Sequence, residues 1–225
     1  MMYANYIDHT LLRPDASASD IKNLCKEALK YEFFSVCVNP CYIKLCQKYL
    51  KHTPVKVCSV IGFPLGANDT KVKIYEAKQA IKDGANEIDV VINVGKLKDK
   101  KYAYIEKELS SIAKISKGKA LVKVIIETCL LTRDEIIKAC ELVYASDVDY
   151  VKTSTGFSTG GAKVEDVELM KELCKDKILI KASGGIYSFS QMKSLIAAGA
   201  TRIGTSRGVQ IMREIAENCN IDKEI

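Results

Sequence analysis

The sequence predicts a single (β/α)8 barrel spanning residues 1–225, with a short N-terminal segment leading into the first strand. Three observations predict it. Short apolar runs rich in β-branched residues recur eight times, and stretches with helical spacing separate them. The chain has 225 residues, which gives about 28 residues per unit, usual for this barrel. Strand, loop and helix repeated in this way imply a parallel sheet, because each crossover needs a helix. The alternative is an open doubly wound sheet, often marked by a glycine-rich dinucleotide turn after the first strand. Here the first strand runs into Asp8-His9-Thr10-Leu11, with no such turn.

The predicted strands are residues 6–8, 34–38, 55–61, 87–92, 120–127, 150–152, 178–181 and 202–204. Between the first two, Ile21, Leu24, Cys25 and Ala28 fall on one side of a 3.6-residue helix. Asp69-Thr70-Lys71 leads into a helix over 72–81, and Asp99 leads into one over 102–115. Thr132 and Glu135 have the spacing of a capping box, each side chain able to satisfy an amide of the other's first turn. Ser188 precedes a helix over 189–198, and Gly199 suits its C-terminal end.

Hydrophobic residues make up 48% of the chain and aromatics 7%, with no Trp, as suits a core of Ile, Val, Leu and Ala. The net charge of +6 is spread along helix-spaced Lys and Glu, as in Tyr104-Ile105-Glu106-Lys107-Glu108, which reads as solvated helix faces. No basic patch with stacking aromatics or groove-reading helix appears, so the expectation is no nucleic-acid partner. No apolar run approaches a membrane span, and Met1-Met2-Tyr3-Ala4-Asn5 does not resemble a signal peptide. The nine cysteines are odd in number and scattered among apolar neighbours, without a CxxC pair. They read as reduced thiols in a cytoplasmic protein. Cys37 reads as a core thiol near enough to a pocket to meet electrophiles. His9 and His52 are the only histidines, and HxH and HExxH spacings are absent, so no bound metal is expected.

In such a barrel the chemistry sits where strands end. Asp89 lies near the end of the fourth run, Lys152 ends the sixth and Lys181 the seventh. A free amine with a pKa near 10.4 is almost wholly ammonium at neutral pH and cannot attack a carbonyl. Burial and a neighbouring cation both favour the neutral amine, so paired lysines suit Schiff-base chemistry. One lysine would be the nucleophile, the other its tuner, and Asp89 a proton shuttle. Ser183-Gly184-Gly185-Ile186 and Gly204-Thr205-Ser206 follow runs seven and eight, where barrels often bind phosphate through glycine-turn amides and helix N-termini. Thr155 and Gly156 could complete that pocket from run six.

These segments carry a resemblance. "YVKTSTGF" at 150–157, "IKASGGI" at 180–186, "EIDVVINVG" at 87–95, "IDHTLL" at 7–12 and "VCVNP" at 36–40 resemble, in order, the motifs of the deoxyribose-phosphate aldolase family. The resemblance covers nearly the whole chain. It implies a class I aldolase without metal or cofactor that reversibly cleaves 2-deoxy-D-ribose 5-phosphate to D-glyceraldehyde 3-phosphate and acetaldehyde. By motif, Lys152 resembles the Schiff-base lysine, Lys181 the lysine that perturbs it and Asp89 the proton donor and acceptor. Asp8 and Thr10 match polar residues on the floor of the family's site. Gly184, Gly185, Gly204, Thr205 and Ser206 match its phosphate-binding turns. The cleavage scheme read from it breaks C3–C4 as the C3 hydroxyl loses a proton. Its partners would be a sugar phosphate and an aldehyde, in a homodimer or higher homo-oligomer.

The sequence departs from the family at three places. Phe157 and Tyr187 stand where some members carry lysine and arginine, which removes cationic help for a phosphate. The tail, residues 220–225, lacks the tyrosine with which some members end. Two rival readings are a different phosphosugar barrel, either transaldolase-like or an isomerase or epimerase, and a non-catalytic barrel that binds a sugar phosphate.

Overall fold

Eight β-branched runs separated by amphipathic stretches close, in the computed structural model, into a barrel of parallel strands in sequence order, with the last strand pairing back onto the first. The structure describes residues 3–221; Met1, Met2 and residues 222–225 of the tail discussed above lie outside it. The strands are β1 (Ile7–Leu11), β2 (Ser35–Val38), β3 (Lys56–Ile61), β4 (Glu87–Val91), β5 (Leu121–Ile125), β6 (Tyr150–Lys152), β7 (Leu179–Ser183) and β8 (Arg202–Thr205). Each predicted run overlaps one of them, and β1, β7 and β8 run past the predicted ends to Leu11, Ser183 and Thr205. The helices are α1 (Ala18–Tyr31), α2 (Ile43–Leu50), α3 (Thr70–Lys82), α4 (Val94–Lys98), α5 (Tyr102–Ser116), α6 (Arg133–Ala145), α7 (Val164–Cys174), α8 (Phe189–Ala197) and α9 (Gly208–Ile221). The closed ring excludes the open doubly wound sheet.

Local chemistry explains the boundaries. Ser17 and Asp20, Thr132 and Glu135, and Ser188 and Gln191 form capping boxes at α1, α6 and α8. Asp69 caps α3 by accepting from the Lys71 amide. Asp99 does not start α5: it ends the short α4, and α5 begins after Lys101 without a side-chain cap. The helices α2, α4, α7 and α9 had no such marker in the sequence reading. Gly199 follows α8 at φ 115°, a backbone angle that glycine takes at no steric penalty.

Side chains alternate across each strand, so neighbours in sequence face opposite sides. Outward residues such as Ile7, Val36, Val57, Ile88, Val124, Val151, Ile180 and Ile203 pack with Leu24, Leu109, Val143, Met170 and Met192 of the helices. This is the main core, and it lies between sheet and helices. Inside the barrel the apolar cluster is small: Leu12, Cys37, Cys58 and Val60, with Phe63 against it. The other interior positions are largely charged or polar, among them Asp8, Ser35, Asp89, Lys123 and Lys181. The eight described cysteines are free thiols. Among the described residues no helix is long and apolar enough to cross a membrane.

Candidate active site

Strand register builds the site. Lys152 and Lys181 are direct neighbours across β6 and β7, as are Lys123 and Asp89 across β5 and β4. Period-two alternation then places Glu87 with Asp89, and Asp8 with Thr10, on the inner face. Asp89 Oδ2 accepts from Lys152 Nζ at 2.7 Å and from Lys181 Nζ at 2.7 Å. One oxygen holding two ammonium-bearing side chains makes the lysines close neighbours. Its other oxygen accepts from Lys123 Nζ at 3.0 Å. Lys181 also lies 2.5 Å from Asp8 Oδ2, and Asp8 Oδ1 takes Arg202 Nη1 at 2.7 Å and the Ser35 hydroxyl at 2.6 Å. Glu87 pairs with Lys123 at 2.5 Å and with Arg202 at 3.2 Å. The Arg202 guanidinium also sits 3.4 Å from the centre of the Phe34 ring.

The electrostatics follow. Burial pushes the Asp89 carboxyl up, but Lys123, Lys152 and Lys181 outweigh it and hold Asp89 well below the usual carboxylate range. Asp8 is drawn down in the same way, against burial, by Lys181 and Arg202. Burial would lower the Lys181 ammonium, but Asp8 and Asp89 raise it above its ordinary range. Lys123 is likewise raised, against burial, chiefly by Asp89. Asp8, Glu87 and Asp89 supply three negative charges. Four cations share them, and Lys152 is the one that touches a single carboxylate, Asp89, which Lys123 and Lys181 also hold.

Above the cluster opens a cleft of about 290 Å³ at the C-terminal ends of the strands. Lys152 lines it, with Thr10, Arg13, Thr155, Gly156, Phe157, Gly184, Gly185, Tyr187, Gly204, Thr205 and Ser206. Asp8, Asp89 and Lys181 are completely buried beneath its floor. Of the two lysines picked out from the sequence, then, one faces the cleft and the other underlies it. A wider hollow of about 380 Å³ at the opposite end, lined by Asn86, Lys117, Leu121 and Asp149, collects none of these groups.

The glycines do different jobs. Gly156, Gly184 and Gly185 have φ between 72° and 84°, a region side chains resist. A Cβ on Gly204 would lie 3.1 Å from Lys181 Cε, so this glycine makes room for the buried lysine. The hydroxyls of Thr155 and Thr205 are engaged inward: Thr155 donates to Glu127 at 2.5 Å, and Thr205 to the Ile186 carbonyl at 2.7 Å. They organise loops, and the Thr10 hydroxyl does the same by donating to the Asp8 carbonyl.

The sequence reading missed Lys123, Glu87, Arg202 and Glu127. Lys123 carried a readable signal, a lone charge at the middle of Leu121-Val122-Lys123-Val124-Ile125 on an inward phase. Gly161 was missed too; a Cβ there would meet the Gly184 carbonyl oxygen at 2.2 Å, so the loops after β6 and β7 touch backbone to backbone. The thiols of Cys37 and Cys58 and an Asp89 oxygen lie within 4.8 Å of one another, a spacing that could hold a metal ion. Three lysines already crowd that carboxylate, so a further cation would meet strong repulsion.

Residues 2–217 match the model of the DeoC/LacD family of aldolases. The chain is 58% identical to the deoxyribose-phosphate aldolase of Finegoldia magna over 92% of its length and 97% of that protein's. It is 56% identical to that of Clostridium tetani, covering 95% and 99%. Among solved structures, the tetrameric deoxyribose phosphate aldolase of Aeropyrum pernix superposes with a TM-score of 0.89 at 36% identity, covering 95% of this chain and 90% of that one.

Proposed function

The chain belongs to the DeoC/LacD family of aldolases, and from that premise we propose that it cleaves 2-deoxy-D-ribose 5-phosphate reversibly through a Schiff base on Lys152. The observation that carries this reading is that Lys152 and Lys181 share one oxygen of Asp89 while Lys152 alone of the two lines the cleft. A reactive amine must reach substrate and be unprotonated. Lys181, enclosed by two carboxylates, is committed as a cation and crowds the neighbouring amine.

The steps balance as follows. Lys152 Nζ adds to the C1 aldehyde of the open-chain sugar, and Asp89 relays the proton that leaves with the carbinolamine hydroxyl as water. The resulting iminium draws electrons from the C2–C3 bond. That bond breaks as the C3 hydroxyl loses its proton, giving glyceraldehyde 3-phosphate and an enamine on Lys152. The broken bond is C2–C3, which corrects the C3–C4 assignment made from the sequence, because the two carbons of acetaldehyde are C1 and C2 of the sugar. The enamine takes a proton at C2, and water returns acetaldehyde and free lysine.

The phosphate is held over Gly156, Gly184, Gly185, Gly204 and Ser206 by backbone amides, since Phe157 and Tyr187 bring no charge. Residues 1–225 act as one catalytic domain. The enzyme is read as a cytoplasmic homo-oligomer; the tetrameric A. pernix relative supports the oligomer, which light scattering of the purified chain tests. The central test is borohydride reduction in the presence of acetaldehyde, followed by peptide mass mapping. A mass increase on the Lys152 peptide is expected. Labelling on Lys181 alone reverses the two roles, and no labelling removes the Schiff base.

A further inference from the structure

We infer that Glu127 is a positioning residue that sets the enzyme's preference for a phosphorylated substrate, by latching the loop after β6 so that the Gly156 amide is left for the phosphate. The inference rests on the phosphate reading above and adds to it a residue outside the cleft's own turns.

Glu127 is buried at 3% exposure, two residues beyond β5, with a left-handed φ of 56°. A side chain in that backbone region is strained, and such strain persists where the surroundings impose it. Among the described residues its carboxylate pairs with no cation. Instead Oε1 accepts the Thr155 amide at 3.1 Å and Oε2 accepts the Thr155 hydroxyl at 2.5 Å. The Thr155 hydroxyl oxygen in turn accepts the Phe157 amide at 3.1 Å. Of three consecutive amides, those of 155 and 157 are therefore turned to the protein. The Gly156 amide between them has no partner among the described residues, and Gly156 lines the cleft at φ 84°. Across the gap stands Gly185, where a Cβ would meet nothing within 4 Å.

A carboxylate beside a phosphate pocket is unfavourable by charge alone. Its two bonds to Thr155 are what it offers in return: they decide which amide of the loop faces the anion. Without them the Thr155 and Phe157 amides lose their fixed partners, and the loop can rotate among conformations in which no amide points at the phosphate.

The test compares kcat/KM for 2-deoxyribose 5-phosphate and for unphosphorylated 2-deoxyribose in the wild type, Glu127→Ala and Glu127→Gln. The Ala variant is expected to lose about tenfold in the ratio of the two, the equivalent of about one hydrogen bond to a charged group. The Gln variant keeps an acceptor for the Thr155 amide but not for its hydroxyl, and falls between. It also serves where the Ala variant does not fold. Imine trapping with acetaldehyde, which carries no phosphate, is run on all three to report the lysine chemistry separately. A phosphate preference that survives both substitutions within about twofold overturns the inference alone. A wild-type ratio near unity overturns the phosphate reading and this inference with it. An equal fall for both substrates shows a merely structural glutamate and also overturns it.

Discussion

Replacing Lys181 with Met probes the centre of the arrangement. Met keeps a long unbranched chain in a fully buried slot and removes the ammonium. That ammonium lies 2.5 Å from Asp8 Oδ2 and 2.7 Å from Asp89 Oδ2, while Lys152 Nζ lies 2.7 Å from the same Asp89 oxygen. Two unit charges about 4 Å apart interact by about 4 kcal/mol at an effective dielectric of about 20. Each pH unit corresponds to about 1.4 kcal/mol, so the pH at which cleavage switches on should rise, with about 3 units as the ceiling such a pair sets. Asp89 acts in the same direction, because it then has one cation fewer competing with Lys152. The substitution also leaves two buried carboxylates short of a partner, which costs about 3 to 5 kcal/mol of stability. The assay is acetaldehyde release from about pH 6 to about pH 10, with imine trapping at each point and a urea melt to show that the variant is folded. A folded variant whose switch-on pH moves by less than about half a unit would refute the tuning role.

Further outcomes are expected from the same geometry. Gly204→Ala would set a methyl 3.0 Å from Ser183 Cβ and 3.1 Å from Lys181 Cε, so kcat should fall with the substrate KM little changed; unchanged kcat refutes the contact. Asp8 has a folded pKa below its unfolded value near 3.9, so its contribution is complete above about pH 4 and is lost as pH falls below it. Urea melts of the wild type should weaken over that acid range, and Asp8→Asn should flatten the slope; an equally steep slope counts against the pairing. Lys73 and Glu108, fully buried at 2.7 Å between α3 and α5, should lose about 3 to 5 kcal/mol as Lys73→Met alone and recover most of it with Glu108→Leu added. Tyr187→Arg should lower the KM for the phosphorylated substrate, an effect that fades with added salt; an equal change for unphosphorylated deoxyribose would exclude a phosphate contact.

The fold was readable because parallel strands covered by helices leave a near-continuous apolar mark, as in Val36-Cys37-Val38 and Val90-Val91-Ile92. The short β6, Tyr150-Val151-Lys152, was found to the residue because its ends change character sharply. The start of α5 at Tyr102 was found, although Asp99, which looks like its cap, belongs to the turn that ends α4. Lys152 was legible because it closes β6, and Asp89 and Lys181, at the middle of β4 and β7, because an apolar pair and a glycine turn follow them. Glu87, Lys123 and Arg202 were not, because no turn or motif marks them, and only the register shows that they meet. Glu127 left still less trace: its partner is a backbone amide 28 positions away, and no motif records such a bond.

The missed residues explain why the legible ones work. Lys152, Lys181 and Asp89 by themselves would be two cations on one anion in a dry interior, an arrangement that desolvation opposes strongly. Adding Asp8, Glu87, Lys123 and Arg202 turns it into a chain of shared pairs in which every carboxylate touches at least two cations. The cation left over is then the amine that reaches the cleft, which shares its one carboxylate with two others. A barrel interior filled with Val and Ile would be cheaper to fold. This one has a small inner apolar cluster and, beside it, seven charged side chains packed on one another. Stability must come instead from the ring between sheet and helices, where Ile, Val, Leu and Met are continuous. Substitutions in that ring should therefore lower both stability and activity, whereas those in the ionic floor should separate the two. Asp8→Asn and Lys181→Met are the variants in which activity should fall further than unfolding free energy accounts for.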